Sequence, residues 1–160
     1  MKMQRTAVLV KPDGLQRGLI GEIISRFERK GLKLVGIKML NMSDEMLSDW
    51  YAEHKDKSFF NDLKHFMEQL PIVAMVWEGI DAVDVVRRLV GTTLGREAEG
   101  GSIRGDFGMS QQYNLIHASA KDEDAKREIA IVFNSNELFS YHSVIDSVIY
   151  ADYEVKESSK

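Results

Sequence analysis

His117 is the residue whose setting most calls for a chemical explanation. It lies inside a short apolar run, Asn114-Leu115-Ile116-His117-Ala118-Ser119. Imidazole is the side chain that works as base, nucleophile or metal ligand near neutral pH. A lone histidine on a strand can equally be a satisfied core residue, and its immediate neighbours leave both readings open. The other histidines differ: His54 is in a polar loop, His65 near a helix surface and His142 in a late loop. No HExxH or other zinc spacing occurs, so a structural metal is not expected. Cysteine is absent, which removes disulfides, thiolate nucleophiles and cysteine metal sites.

Two helical patterns carry a charge on or beside their apolar face. At about 100° per residue, Val83, Val86, Arg87 and Val90 share one arc and Arg88 points away, so Arg87 is expected inward and Arg88 outward. Likewise Ala125, Glu128, Ile129 and Val132 share an arc with Glu128 at its edge. A buried charge needs a partner or a site, and the alternative is a stem along the core with its head in water.

Phosphate-binding loops are missing in their usual forms. There is no GxGxxG, and Gly95 to Ser102 only approaches a Walker A pattern, with glycine at the lysine position and no strand before it. What remains is a dispersed set of donors: Lys11 at a strand end, Arg87, Thr93 in a loop, Arg104 and Asn114. Such groups bind polyphosphate without a glycine cradle, although dispersed cations are also commonly just solvated.

The elements that must position these groups are readable. Thr6–Val10, Leu32–Leu40, Ile72–Trp77 and Asn114–Ser119 read as strands. Leu19, Ile20, Ile23, Ile24 and Phe27 recur at helical spacing and Gly31 follows as a stop. A second stripe is Met46, Leu47, Trp50 and Tyr51, with Ser43 as N-cap and Asp44 and Glu45 in the first turn. Phe59, Phe60, Leu63, Phe66 and Met67 make a third, and further helices start near Asp81 and Asp122. Gly91 to Gly101 is a glycine-rich loop, and Glu154 to Lys160 reads as a frayed, flexible tail. The order predicts an α+β fold: a ferredoxin-like split βαβ with a four-stranded antiparallel sheet and added helices. A doubly wound parallel sheet is the alternative, but the glycines usual after its first strand are missing.

At 160 residues the chain fits one domain, expected over residues 1–153. Hydrophobic residues are 44% and charged residues 29%, which excludes a disordered chain. A net charge of −4 gives no basic excess to suggest nucleic acid or an anionic membrane as partner. No apolar stretch approaches about 18 residues, and Ala7 to Val10 is too short for a signal peptide, so a cytoplasmic protein is expected.

Together these residues resemble a nucleoside diphosphate kinase from about Arg5 to about Tyr150. The resemblance rests on Lys11-Pro12-Asp13-Gly14-Leu15-Gln16-Arg17-Gly18, on YAEHKDKSFF from Tyr51, on VAMVWEG from Val73, on Ile103-Arg104-Gly105-Asp106-Phe107 and on the segment around His117. It implies transfer of a γ-phosphoryl group from a nucleoside triphosphate to a nucleoside diphosphate, by ping-pong kinetics through a phosphohistidine. By that resemblance His117 is the nucleophile, and Glu128, supported by Ser119, fixes its tautomer. Lys11 and Asn114 resemble the family residues near the ribose 3′-hydroxyl and the transferring phosphate. Arg87, Thr93 and Arg104 resemble those that hold the distal phosphates, and Tyr51 frames the histidine. Mg2+ is implied as an ion carried on the nucleotide phosphates, with no protein ligands of its own.

Phe59, with Leu63 beside it, resembles the residue that stacks on the base, which implies broad tolerance of ATP, GTP, GDP and other nucleotides. Without the resemblance both would read as core. A homo-oligomer is implied, a hexamer in preference to a tetramer. The sequence departs from the family pattern at Ala120, at Leu94 and Gly95 in the mid-chain loop, and at Gln111 near the second side of the base. Two competing readings remain: a module that senses nucleotides without turnover, and an enzyme with an added nucleic-acid or regulatory role. A sensor has no need of a nucleophile, and the charge of −4 does not support the second.

Overall fold

The structure is a computed structural model that describes residues 2–158. The chain runs through β1 (Met3–Val10), α1 (Pro12–Gln16), α2 (Ile20–Lys30), β2 (Lys33–Leu40), α3 (Asp44–Trp50), α4 (Phe60–Glu68) and β3 (Ile72–Ile80). It continues through α5 (Ala82–Val90), α6 (Ile103–Phe107), β4 (Ile116–Ala118), α7 (Asp122–Val132), α8 (Asp146–Ile149) and α9 (Asp152–Ser158). The strands form one sheet in the order β2-β3-β1-β4, with every neighbouring pair antiparallel. This is the expected four-stranded antiparallel sheet with added helices, and the parallel alternative falls.

Strand alternation divides the core into two layers. Ala7 and Leu9 of β1, with Ala74 and Val76 of β3, face a layer that includes Leu47, Trp50, Phe66, Met67 and Val132 from α3, α4 and α7. Val8, Val10, Met75 and Trp77 face the other layer, with Ile23 and Phe27 of α2 and Val86 and Val90 of α5. Trp77 and Phe27 are fully buried, with ring centroids 5.2 Å apart. Each large side chain so buried contributes about 1.5–3 kcal/mol. Helix ends follow local chemistry. Ser43 Oγ accepts the Met46 N–H at 3.1 Å, and Gly31 closes α2 at φ 95°.

The differences from the sequence reading are local. β1 and β3 are longer than their apolar runs. The strand expected over Asn114–Ser119 shrinks to Ile116–Ala118, because Leu115 has φ 75° and breaks the extended path. α4 begins at Phe60, which leaves Phe59 outside it. α1, unforeseen, starts with Pro12 at its first position, where the lost N–H costs nothing. Met1, and Ser159 and Lys160 of the expected tail, lie outside the described residues, while the preceding part of that tail belongs to helix α9.

Candidate active site

His117 stands on β4 opposite Leu9 of β1, on the sheet face covered by α3, α4 and α7. Its Nε2 lies 3.1 Å from Oε1 of Glu128 on α7. Ser119 Oγ donates to the other oxygen, Oε2, at 2.7 Å and accepts the Ala7 N–H at 3.1 Å. Glu128 is almost wholly buried; its side chain is 5% exposed against 23% for His117. The sequence pattern put Glu128 at the edge of the buried stripe. The structure puts it deeper, which its bonds to His117 and Ser119 make affordable. A carboxylate facing Nε2 puts the proton on that nitrogen and leaves the Nδ1 lone pair free.

Lys11, just after β1, is buried, with Nζ 2.8 Å from Asn114 Oδ1 and 3.2 Å from the Gln112 carbonyl. Burial, with the positive charge of Arg104 as the next cause, lowers its pKa to about 8 against the pull of Asp13. Arg104, on α6, donates to the carbonyls of Asn114 (3.3 Å), Gly91 (3.0 Å) and Ile116 (2.6 Å). Burial first, then Arg87, lowers its pKa to about 10. Asn114 is buried, and its amide donates to the carbonyls of Thr93 (2.9 Å) and Gln111 (2.8 Å). Lys11, Arg104, Asn114 and the Thr93 backbone therefore form one connected, cationic group beside β4.

Arg87 corrects the helical phasing. It and Arg88 are both exposed, and Ala82, Val83, Val86 and Val90 alone make the buried face of α5. Arg87 lies in the last turn of a short helix that ends at Gly91, whose carbonyl accepts from Arg104, and its charge is among those that act on Arg104. Thr93 is exposed, in the loop after α5.

Tyr51 follows α3 and is buried, with a hydroxyl that has no hydrogen-bond partner in the protein. Burial, and then the charge of Glu128, raise its pKa, so it stays a neutral phenol with a proton to donate. Its ring neighbours His54 (centroids 6.3 Å apart), and His54 neighbours Phe59 at 5.6 Å. Phe59 is 47% exposed and so is not core; Leu63 is half-buried against the core. An exposed aromatic at the end of this ridge offers a flat face to a planar ligand.

Some contributors escaped the sequence reading. Asp13 Oδ2 accepts the Leu115 N–H at 3.0 Å and so supports the positive-φ residue that turns Asn114 towards Lys11. Gly14 makes room for the same crossing, since a Cβ there would meet the Leu115 carbonyl oxygen at 2.8 Å. Trp50 read as core and is core, yet its ring also stands edge-on to His117 with centroids 5.1 Å apart. Gly95, one of the departures noted above, crosses Gly108 so closely that a Cβ would come within 2.4 Å of its backbone.

Most of the chain is similar to known proteins of one family. The family model described as nucleoside diphosphate kinase matches residues 4–138. The nucleoside diphosphate kinase of Carboxydothermus hydrogenoformans is 49% identical over 148 residues, covering 92% of this chain and 99% of its own. That of Staphylothermus marinus is 51% identical over 141 residues, covering 88% and 100%. Among solved structures, a halophilic nucleoside diphosphate kinase from Halobacterium salinarum in complex with CDP superposes with a TM-score of 0.90 at 46% identity, over 92% of this chain and 99% of that one. A transition-state mimic of the Borrelia burgdorferi enzyme with bound vanadate and ADP gives 0.83 at 40% identity, over 90% and 95%. A match that spans the sheet, the helix carrying Arg104 and the strand carrying His117 leaves one conclusion: the chain belongs to the nucleoside diphosphate kinase family.

Proposed function

We propose that this chain is a nucleoside diphosphate kinase in which His117 carries the phosphoryl group. The observation that bears most weight is the buried Glu128, which takes Nε2 and leaves Nδ1 as the free nucleophile. In the first half-reaction the Nδ1 lone pair forms a bond to the γ-phosphorus and the bond to the bridging oxygen breaks, releasing a nucleoside diphosphate. In the second half, a terminal phosphate oxygen of another nucleoside diphosphate takes the group and returns Nδ1 to its free form. Positive charge builds on the imidazole as the group arrives, and Glu128 offsets it. Phosphoryl transfer needs mainly positioning and charge stabilisation, which Lys11, Arg87, Arg104, Thr93 and Asn114 are suited to supply. The Tyr51 hydroxyl is a buried donor without a partner in the protein, close enough to Glu128 to feel its charge, and suited to a phosphate oxygen or the ribose.

Mg2+ enters as part of the substrate. The donors around His117 are cationic or neutral, and its one close carboxylate is engaged by His117 and Ser119. Such a set suits phosphate oxygens rather than a cation, so Mg2+ would be held by the nucleotide phosphates and would supply charge neutralisation there. Phe59 offers its exposed face to the base, with Leu63 below it, so several bases are accepted. Gln111 is exposed, and by the family resemblance it gives the base a polar second side. No helix among the described residues is long and apolar enough to cross a membrane. We place the enzyme in the cytoplasm as a homo-oligomer, a hexamer in preference to a tetramer.

The test is a phosphoenzyme trap. Protein is mixed with Mg2+ and γ-labelled ATP, quenched in base, and compared with His117→Ala. Label that survives base, is lost in acid, depends on His117 and passes to GDP is the expected result. ATP binding without label would reduce the site to a nucleotide sensor and refute the kinase reading.

A further inference from the structure

Glu128 has one oxygen on Ser119 and the other on His117, so anything else that touches this carboxylate acts on the nucleophile. Arg127, the preceding residue of α7, brings a cation to ion-pair distance of it. Its Nη2 lies 4.0 Å from Glu128 Oε1, the oxygen that faces His117 Nε2. Its Nη1 donates to the Asp49 carbonyl at 2.8 Å. Asp49 is in the last turn of α3, immediately before Trp50 and Tyr51. Trp50 is the ring edge-on to His117, and Tyr51 is the buried phenol whose pKa responds to Glu128. One guanidinium therefore joins both walls of the histidine pocket: the helix that supplies its carboxylate and the helix end that supplies its aromatic side.

We propose that Arg127 is a positioning residue for phosphoryl transfer, holding Glu128 and the Trp50–Tyr51 turn in register around His117. The inference rests on reading His117 as the nucleophile. A planar fork with fixed donor directions suits a two-point link of this kind, and carbonyls in the last turn of a helix lack intrahelical partners and favour a cation. The neighbouring cation does nothing comparable. Lys126 pairs with Asp122 along the same helix, 2.9 Å away, with its side chain 69% exposed. Arg127 is only 39% exposed although it, too, lies on an outer face. Loss of the link frees the α3 end to drift from α7. Misplacement by a fraction of an ångström is enough to slow an in-line attack.

Three variants test this: Arg127→Gln, Arg127→Lys and, as a control, Lys126→Gln. Rapid-quench phosphorylation by Mg2+ and ATP gives the rate of histidine labelling. Steady-state assays separate kcat from KM. The protein has two tryptophans, so 19F NMR with 5-fluorotryptophan gives two resonances, with Trp50 assigned through Trp50→Phe. Arg127→Gln is expected to slow labelling by about five- to twentyfold, towards the low end of what removing a supporting partner costs. KM stays within about twofold, as expected when alignment and not binding is lost. The Trp50 resonance shifts and broadens while Trp77 stays in place. Arg127→Lys recovers part of the rate, and Lys126→Gln matches wild type. Unchanged labelling in Arg127→Gln, an equal loss in Lys126→Gln, or a still Trp50 resonance would each overturn the inference while wild type is labelled. A wild type that takes no label refutes the His117 reading itself, and this inference with it.

Discussion

Ser119→Ala is the sharpest probe of the site, because its cost follows from contacts that can be counted. Ser119 Oγ is fully buried, donates to Glu128 Oε2 and accepts the Ala7 N–H. Alanine fits the space but leaves a buried carboxylate oxygen and a buried amide proton without a partner. The charge-assisted bond is worth about 1.5–3 kcal/mol and the orphaned amide about 1–3 kcal/mol, partly recovered by relaxation, so a net loss of about 3 kcal/mol is expected. For a chain of this size that lowers the melting temperature by about 6–12 °C. Urea unfolding at fixed protein concentration measures the loss without confusion from subunit dissociation. Glu128 also loses its anchor, so kcat should fall about 10–100-fold.

The decisive step is a double-mutant cycle. In a Glu128→Gln background the charge is gone, and Ser119→Ala should then cost only about 1.5 kcal/mol, a coupling of about 1–1.5 kcal/mol between the two positions. Equal costs in both backgrounds would show that Ser119 is only a strand-edge hydroxyl. A cost below about 1 kcal/mol with kcat unchanged would refute the view that Glu128 is held from two sides.

Lys11 gives a pH signature. Its pKa falls from 10.5 unfolded to about 8 folded, because burial and Arg104 oppose its charge. Below pH 8 the folded state bears the full cost of that charge. Between about pH 8 and 10.5 the unfolded chain binds more protons, so Lys11 makes stability rise with pH there, by about 3 kcal/mol in all. The difference in urea stability between wild type and Lys11→Met, followed across that window, should show this rise; a flat difference refutes it. On α5, Arg87→Ala should lower kcat/KM at least tenfold and Arg88→Ala less than twofold, since only Arg87 is among the groups whose charge acts on Arg104; equal losses in a coupled assay would remove Arg87 from the phosphate site.

The sequence made some features plain and left others hidden, and the division has a physical pattern. The β1 apolar run, the Ser43 cap and the Gly31 stop are properties of one segment, and all were legible. The polar donors were legible as types, and the family resemblance grouped them. Depth was not. Periodicity placed Arg87 inward and Glu128 at an edge, whereas Arg87 is exposed and Glu128 buried. Phe59 continued a helical stripe but lies just before the helix, with its ring in solvent. Nothing about a leucine announces φ 75°; Leu115 takes it because Asp13, from a segment about a hundred residues earlier, accepts its N–H. Periodicity reports which side of its own element a residue occupies. Whether that side is core, cleft or solvent is decided by another element, here α7 against β4 for Glu128 and the open end of α5 for Arg87. Catalytic groups concentrate where such elements meet, so they are the residues for which a single-segment pattern is least informative. Arg127 is the extreme case: as sequence it is an ordinary cation on an outer helix face, and only the Asp49 carbonyl and Glu128 Oε1 on either side of its fork give it a task.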